Sequence, residues 1–380
     1  MSASESPRVL RGARTLPAAF FTTLDPALPD VSHVSISHTG SVVALGHRGP
    51  TRYGVTLFVN NRDLTWRPRT QIVLPLDCPV TQLTLSTWGN KLAFIEDTGY
   101  IQMWSTDNGD SLQPWKCQAN CAAECSYTQI QFVGSYLLAL HSEGLDVLET
   151  GSPKLRLVNR LTRPAKLFAL APDHSSMVLL MEDNKVALYG LDNRSSLGMA
   201  FSLSKDITPM APPTASIHGL SLSVGGQKLL LQTSEGIYLQ NLQGERPTTY
   251  ALACTPRLDL CSTCPVGKTA FDGTGEFWVM SDSPGAVYLC TTDDGLCYSI
   301  MNRCNDLMPM SPPEDPIKEL LFSGDGRFVL GLSARGRVMV WYVDDLLSYD
   351  LDRPKSEHDR GYLVSDVERE HIDRERRSQN

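Results

Sequence analysis

The stretch 317–345, IKELLFSGDGRFVLGLSARGRVMVWYVDD, reads as three short strands joined by two tight turns. Apolar residues alternate through KELLFS, Gly324-Asp325-Gly326 interrupts them, and FVLGLS forms a second run. Ala334-Arg335-Gly336 turns the chain again, and RVMVWYV makes a third run that ends near Trp341. Alternation with period two puts every other side chain on one face of a sheet, and Gly/Asp turns between such runs make hairpins.

The same pattern recurs six times upstream. Its landmark is the small residue just before the second strand, found at Gly40, Gly89, Gly134, Ser175, Gly226, Gly275 and Gly326. The runs that follow are SVVALGH, NKLAFIE, SYLLALH, SMVLLME, QKLLLQT, EFWVMSD and RFVLGLS, all rich in strand formers. An alternating strand precedes each landmark: VSIS, LTLS, IQF, FALAP, LSLS, TAFD and LLFS. A third strand follows each second one, with Phe58, Trp104, Leu148, Tyr189, Gln240, Cys290 and Trp341 at or near its end. The landmarks are 49, 45, 41, 51, 49 and 51 residues apart, close to the roughly 40–50 of a four-stranded propeller blade. The sequence therefore predicts an all-β, seven-bladed β-propeller; a β-sandwich or two smaller β-domains are the alternatives.

From Val31 to about Asp345 this pattern resembles the WD-repeat β-propellers, as a divergent member. The family's Gly-His before the first strand and Trp-Asp after the third are essentially missing: Trp104 is followed by Ser105 and Trp341 by Tyr342. The resemblance implies a non-enzymatic scaffold for protein–protein interaction, a subunit of a larger assembly. Two specialised roles of the family lack their residues. Trp104-Ser-Thr-Asp and Trp341-Tyr-Val-Asp carry no arginine of the Trp-Asp-x-Arg type seen in ubiquitin-ligase adaptors, and no Phe-Arg-Arg-Gly stretch of phosphoinositide binders occurs.

A net charge of −8 and a pI near 5.5 argue against nucleic acid or an anionic membrane as the main partner. No run approaches the ~18 apolar residues of a membrane span, and the first residues hold no long apolar leader core. Arg8, Arg11 and Arg14 suggest a mitochondrial presequence, against which stand Glu5 and the prolines. Most of the ten cysteines are then expected to be reduced, small buried residues of a cytoplasmic or nuclear protein.

Composition divides the chain into a disordered terminus (1–16), the propeller (17–350) and a charged tail (351–380). Within the tail, Ser365 or Asp366 caps a short helix running through Arg377. In propellers of this type the first strand commonly completes the last blade, a role assigned here to Ala18–Leu24. Outer strands are expected in TQIVLPL, LQPWKCQ, RLVNRL, GMAFSL, TTYALAC and LCYSIM. The connections 119–126, 204–216, 255–266 and 302–316 are expected as long loops. They share one face with the short turns Glu96–Gly99, Glu182–Asn184 and Ser333–Gly336. Loops on a rigid scaffold carry binding, so this face, and the tail, form the expected partner surface.

The innermost strands supply the channel-facing set His33, Ser35, Ser37, Gln82, Thr84, Ser86, Ser221, Ser223, Lys268, Ala270, Asp272, Glu319, Leu321 and Ser323. Only His33, Lys268, Asp272 and Glu319 in it suit acid–base or metal chemistry. A metal-dependent propeller hydrolase or lactonase using His33, Asp272 or Glu319 is the second function class. Cysteine spacing offers a third, a metal- or redox-responsive module. Cys261 and Cys264 form a C-x-x-C pair that Cys254 and Cys304 could complete as a zinc site, with a disulfide or free thiols as the alternatives. Cys117, Cys121 and Cys125 follow one another in a loop, and Cys290, Cys297 and Cys304 lie in the next blade. No phosphate-binding loop, nucleophile elbow or dinucleotide fingerprint occurs, and no cofactor is expected.

Overall fold

A computed structural model describes residues 14–15, 21–23, 30–49, 52–60, 66–73, 79–106, 115–121, 126–151, 155–192, 199–209, 211, 214–242, 249–252, 269–281, 287–292, 297–299 and 316–343. Each repeat forms an antiparallel sheet in which consecutive strands neighbour one another. Blade 1 comprises Val31–Ile36, Val42–Arg48, Tyr53–Asn60 and Trp66–Val73. Six further blades follow the same order, with inner strands at Val80–Leu85, Tyr127–Val133, Ala165–Leu170, Ile217–Leu222, Thr269–Phe271 and Ile317–Phe322. The seven residues expected near the ends of the third strands are equivalent: each stands opposite the second residue of its second strand, as Phe58 does Val43 and Trp341 does Val329.

The turn into the second strand explains the landmark. In six blades its glycine has φ between 55° and 78°, a left-handed conformation that glycine adopts without steric cost. In blade 4 that position is His174 (φ 55°), one residue before the Ser175 read from the sequence. His174 N–H donates to Ala171 O as Gly40 N–H does to Ser37 O. Gly40 has a second constraint, since a Cβ there would lie 2.4 Å from Phe328 Cδ2 of blade 7.

The apolar faces pack between blades, not within them. Each of the seven buried clusters joins two neighbours, for example Val42, Leu57 and Phe94 between blades 1 and 2, or Leu45, Phe58, Phe328 and Leu330 between blades 7 and 1. The remaining clusters join blades 2–3, 3–4, 4–5, 5–6 and 6–7, so the ring is closed. This architecture uses the hydrophobic effect between blades, each side of a sheet facing another sheet.

Phe21–Thr23 is the outer strand of blade 7, paired antiparallel with the strand Val338–Tyr342, as expected for Ala18–Leu24. Upstream, Arg14–Thr15 adds a fifth, parallel strand to the edge of blade 6, within the segment whose composition reads as disordered. The rest of that segment and the tail 351–380 lie outside the described residues. No helix among the described residues is long and apolar enough to cross a membrane.

Two bulges recur. In blades 1–5 and 7 the register of the inner strand shifts between its first and third residues, as between Val31 and His33 or Val80 and Gln82. In blades 1–4 the outer strand carries an extra residue: Arg69, Gln118, Val158 and Ser204. A bulge turns the following side chains to a new direction. In blade 2 the outer strand Trp115–Cys121 runs past its bulge, so residues 119–121 lie in a strand where the loop 119–126 was expected.

Candidate interaction surface

The inner bulge aims the third residue of the strand at the neighbouring blade. Glu319 Oε2 accepts the Val34 N–H at 3.1 Å, Gln82 Oε1 the Ile130 N–H at 2.6 Å, and Gln129 Oε1 the Phe168 N–H at 2.9 Å. In all three the acceptor is the third residue of one inner strand and the donor the fourth of the next. A serine two residues further along repeats the device: Ser35 Oγ accepts from Leu85 N–H and Ser221 Oγ from Phe271 N–H. These bonds satisfy backbone donors that no ladder reaches, since inner strands of adjacent blades do not pair.

This changes the meaning of the channel-facing set. His33 Nδ1 lies 2.9 Å from Glu319 Oε1, joining blades 1 and 7. Ser37, Ser86, Ser223 and Ser323 accept the N–H of Val42, Lys91, Lys228 and Phe328 within their own turns. Asp272 does the same for Phe277 and Gly275 and also accepts from the Thr274 hydroxyl. Burial pushes the Asp272 carboxyl above the usual range against the pull of those bonds. Lys268 lies outside the described residues, as do Cys254, Cys261, Cys264 and Cys304. Among the described residues, no group of three or more His, Cys, Asp or Glu is arranged to hold a metal ion. Cys290 is disulfide-bonded, an exception to the expectation that most thiols are reduced; Cys297 stands opposite it in the register.

Antiparallel order puts the first and third turns of each blade on one face of the disc and the second turns, with the connections between blades, on the other. On the first face the turns crowd the axis. The His38 and His174 rings, from blades 1 and 4, have centroids 6.2 Å apart. A Cβ on Gly324 of blade 7 would lie 1.6 Å from His38 Nδ1. Burial holds both imidazoles below the ordinary histidine value, and the proximity of His38 lowers His174 further. Trp88, 70% exposed, lies in the blade 2 turn of this face.

On the second face, the second turns of blades 1, 2, 5 and 7 are tied to the residue preceding the inner strand. Arg48 N–H donates to Asp30 O, Asp97 N–H to Pro79 O, Ser234 N–H to Ser216 O and Ala334 N–H to Pro316 O. Of the short turns in the expected partner surface, Glu96–Gly99 and Ser333–Gly336 are thus anchored at their roots. Of the four long connections, 119–121, 204–209, 211 and 214–216 are described along with Ser126 and Pro316, and 255–266 is not.

Beneath this face, buried polar groups differ from blade to blade where WD-repeat proteins share one signature. In blade 3, Tyr127 Oη donates to Asp146 Oδ2 (2.9 Å), Arg160 donates to both carboxylate oxygens (2.6 and 3.0 Å), and His141 Nε2 lies 3.4 Å from Oδ1. Blade 1 has His47 Nε2 at 2.8 Å from Thr56 Oγ1. In blade 2, Gln102 bonds Glu96 and receives the Trp104 indole N–H. The sequence offered no common motif for these, because each blade solved the same burial problem with different residues.

No protein-family signature matches the chain, and no curated protein matches it in sequence. In three dimensions it is similar to the C-terminal WD40 domain of Sif2, with a TM-score of 0.57 and 12% identity over 87% of this chain and 99% of that one. With seven closed blades and that likeness, the fold is a WD-repeat-like β-propeller.

Proposed function

We propose that this WD-repeat-like propeller is a non-enzymatic scaffold that presents its second-turn face, and its charged tail, to protein partners within a larger assembly in the cytoplasm or nucleus. One observation carries the reading. Among the described inner-strand groups with the chemistry for catalysis, His33 and Glu319 join each other and Val34 across the ring closure, and Asp272 is engaged with its own turn. A rigid disc with anchored turns provides a preorganised binding surface.

The test is purification of the tagged full chain from its own cells, with metal analysis of the same material. Stoichiometric protein partners and no metal support the scaffold. A solitary, metal-loaded protein overturns it and returns attention to His33, Asp272, Glu319 and the cysteine loops.

A further inference from the structure

We infer that Thr208, on the second-turn face of blade 4, is a phosphorylation site for a proline-directed protein kinase, with Lys185 and Arg163 placed to hold the phosphate. Among the described residues, Thr208 is the one serine or threonine followed directly by proline; Ser6, Ser152, Thr255, Ser283 and Ser311 also precede proline but lie outside them. Thr208 is exposed, and its hydroxyl has no hydrogen-bond partner among the described residues, so the acceptor oxygen is free. Its main chain is held instead, Thr208 O accepting from Gln240 Nε2 at 3.2 Å. A residue before proline is kept to extended backbone, the form in which a kinase cleft takes its substrate, and proline brings no N–H that the cleft must satisfy.

The place in the fold suits access. Thr208 follows directly on Ala200–Ile207, the outer strand of blade 4, which no further strand covers among the described residues. Residues 202–206 of that strand are exposed.

Two cations meet there. Ile207 stands opposite Val186 in the ladder, so the next pair in that register is Thr208 and Lys185. Side chains opposite each other on antiparallel strands have Cβ atoms about 4.5–5.5 Å apart. Burial of Ile207 between exposed Asp206 and Thr208 puts those two side chains on one face. Arg163 already reaches that face: its guanidinium donates to Asp206 Oδ1 at 3.2 Å and to Tyr189 Oη at 3.0 Å. Lys185 bonds Asp183 at 2.6 Å in an exposed pair, which is weak and open to exchange. A phosphate offers three strong acceptor oxygens and more charge than either carboxylate.

In the transfer, the γ-phosphorus of Mg·ATP breaks its bond to the β–γ bridging oxygen and forms one to Thr208 Oγ1. ADP leaves, and the hydroxyl proton passes to the kinase's catalytic carboxylate. The modification adds anionic charge to the connection 204–216, within the expected partner surface. The site itself stands without the scaffold reading; only the effect of its charge on partners rests on it.

The experiment treats the folded full chain with Mg·ATP and two purified proline-directed kinases, one cyclin-dependent and one mitogen-activated, and maps the phosphate by mass spectrometry. Phosphate on Thr208 is expected, absent in T208V and kept in T208S, with the melting temperature of unmodified T208V equal to wild type. The 31P resonance missing from T208V should titrate below the ordinary second ionisation of a phosphothreonine, about 6. It should rise by about half a unit or more in K185Q/R163Q, where the opposite charges are gone, and stay low in K185R, which keeps both. Three results overturn the inference: Thr208 unmodified by either kinase, modified in urea-unfolded chain but not in the folded one, or a phosphate whose titration is the same in wild type and K185Q/R163Q. Partner capture plays no part in these readouts, so their failure leaves the scaffold standing.

Discussion

His33 and Glu319 stand 286 residues apart in sequence and 2.9 Å apart in the fold, where the first and last inner strands meet. The second carboxylate oxygen of Glu319 also takes the Val34 N–H, so this side chain joins the two ends of the ring through a side-chain and a backbone contact together. Glu319→Ala removes both bonds and strands a backbone donor, at a cost of about 1–3 kcal/mol. Glu319→Gln keeps an acceptor for Val34 and should cost less. Urea unfolding checks the order; equal midpoints for all three proteins would show that the contact does not help close the ring.

The blade 3 network makes a prediction at acid pH. Burial alone would raise the Asp146 carboxyl, but the hydrogen bonds from Arg160 and Tyr127 and the charges of Arg160 and His141 hold it below its ordinary 3.8. Its folded value is depressed, so the stabilisation is full above 3.8 and is lost as pH falls below it. Asp146→Ala leaves Arg160 and Tyr127 without their acceptor. Breaking a buried ion pair costs about 3–5 kcal/mol; with Arg160 36% exposed, about 2–4 kcal/mol is expected here. Asp146→Asn should flatten the stability–pH curve below pH 4, which thermal melts across pH 2–5 would show.

Histidines produce a second, separate limb. Burial holds His38, His47 and His174 below the ordinary 6.5. The unfolded chain therefore takes up protons first, and stability falls as pH drops through 6.5, the loss being complete below the folded values. Melting temperatures from pH 7.5 to 5 should decline in wild type and decline less in H38Q/H174N, a pair chosen because asparagine tolerates the left-handed backbone at position 174. Parallel declines would rule out the axial pair as the source.

Deleting residues 1–24 removes Phe21–Thr23 and exposes the strand Val338–Tyr342 as a bare sheet edge. Exposed edges recruit other chains. The truncated protein should melt lower and form dimers or larger species by light scattering, whereas deletion of 1–12 spares both N-terminal strands and should leave the ring monodisperse to the same degree as the full chain.

The blade count and the residues of the third strand were legible because period two survives divergence: burial of alternate side chains fixes it even when signatures are lost. In blade 4 the sequence points to Ser175, one residue late, because a non-glycine left-handed turn at His174 leaves no small-residue mark. The strand through Cys121 was read as loop because the extra residue at Gln118 breaks the alternation. Arg14–Thr15 is too short to carry a period. The stitching by Gln82, Gln129 and Glu319 has a faint signal, a polar residue at the third place of an apolar strand; for Gln82 and Glu319 the alternation points to channel lining instead.

Blade 7 is assembled from both ends of the chain, Phe21 pairing with Trp341. During synthesis Phe21–Thr23 has to wait for its partner until Trp341, 320 positions later, leaves the ribosome, roughly a quarter of a minute to a minute at about 5–20 residues per second. Through that interval the nascent chain holds blades with no closed ring, and the apolar side of blade 1 that later meets Phe328 faces water. Birth is thus the exposed moment in the life of this protein, when a chaperone has the most surface to hold.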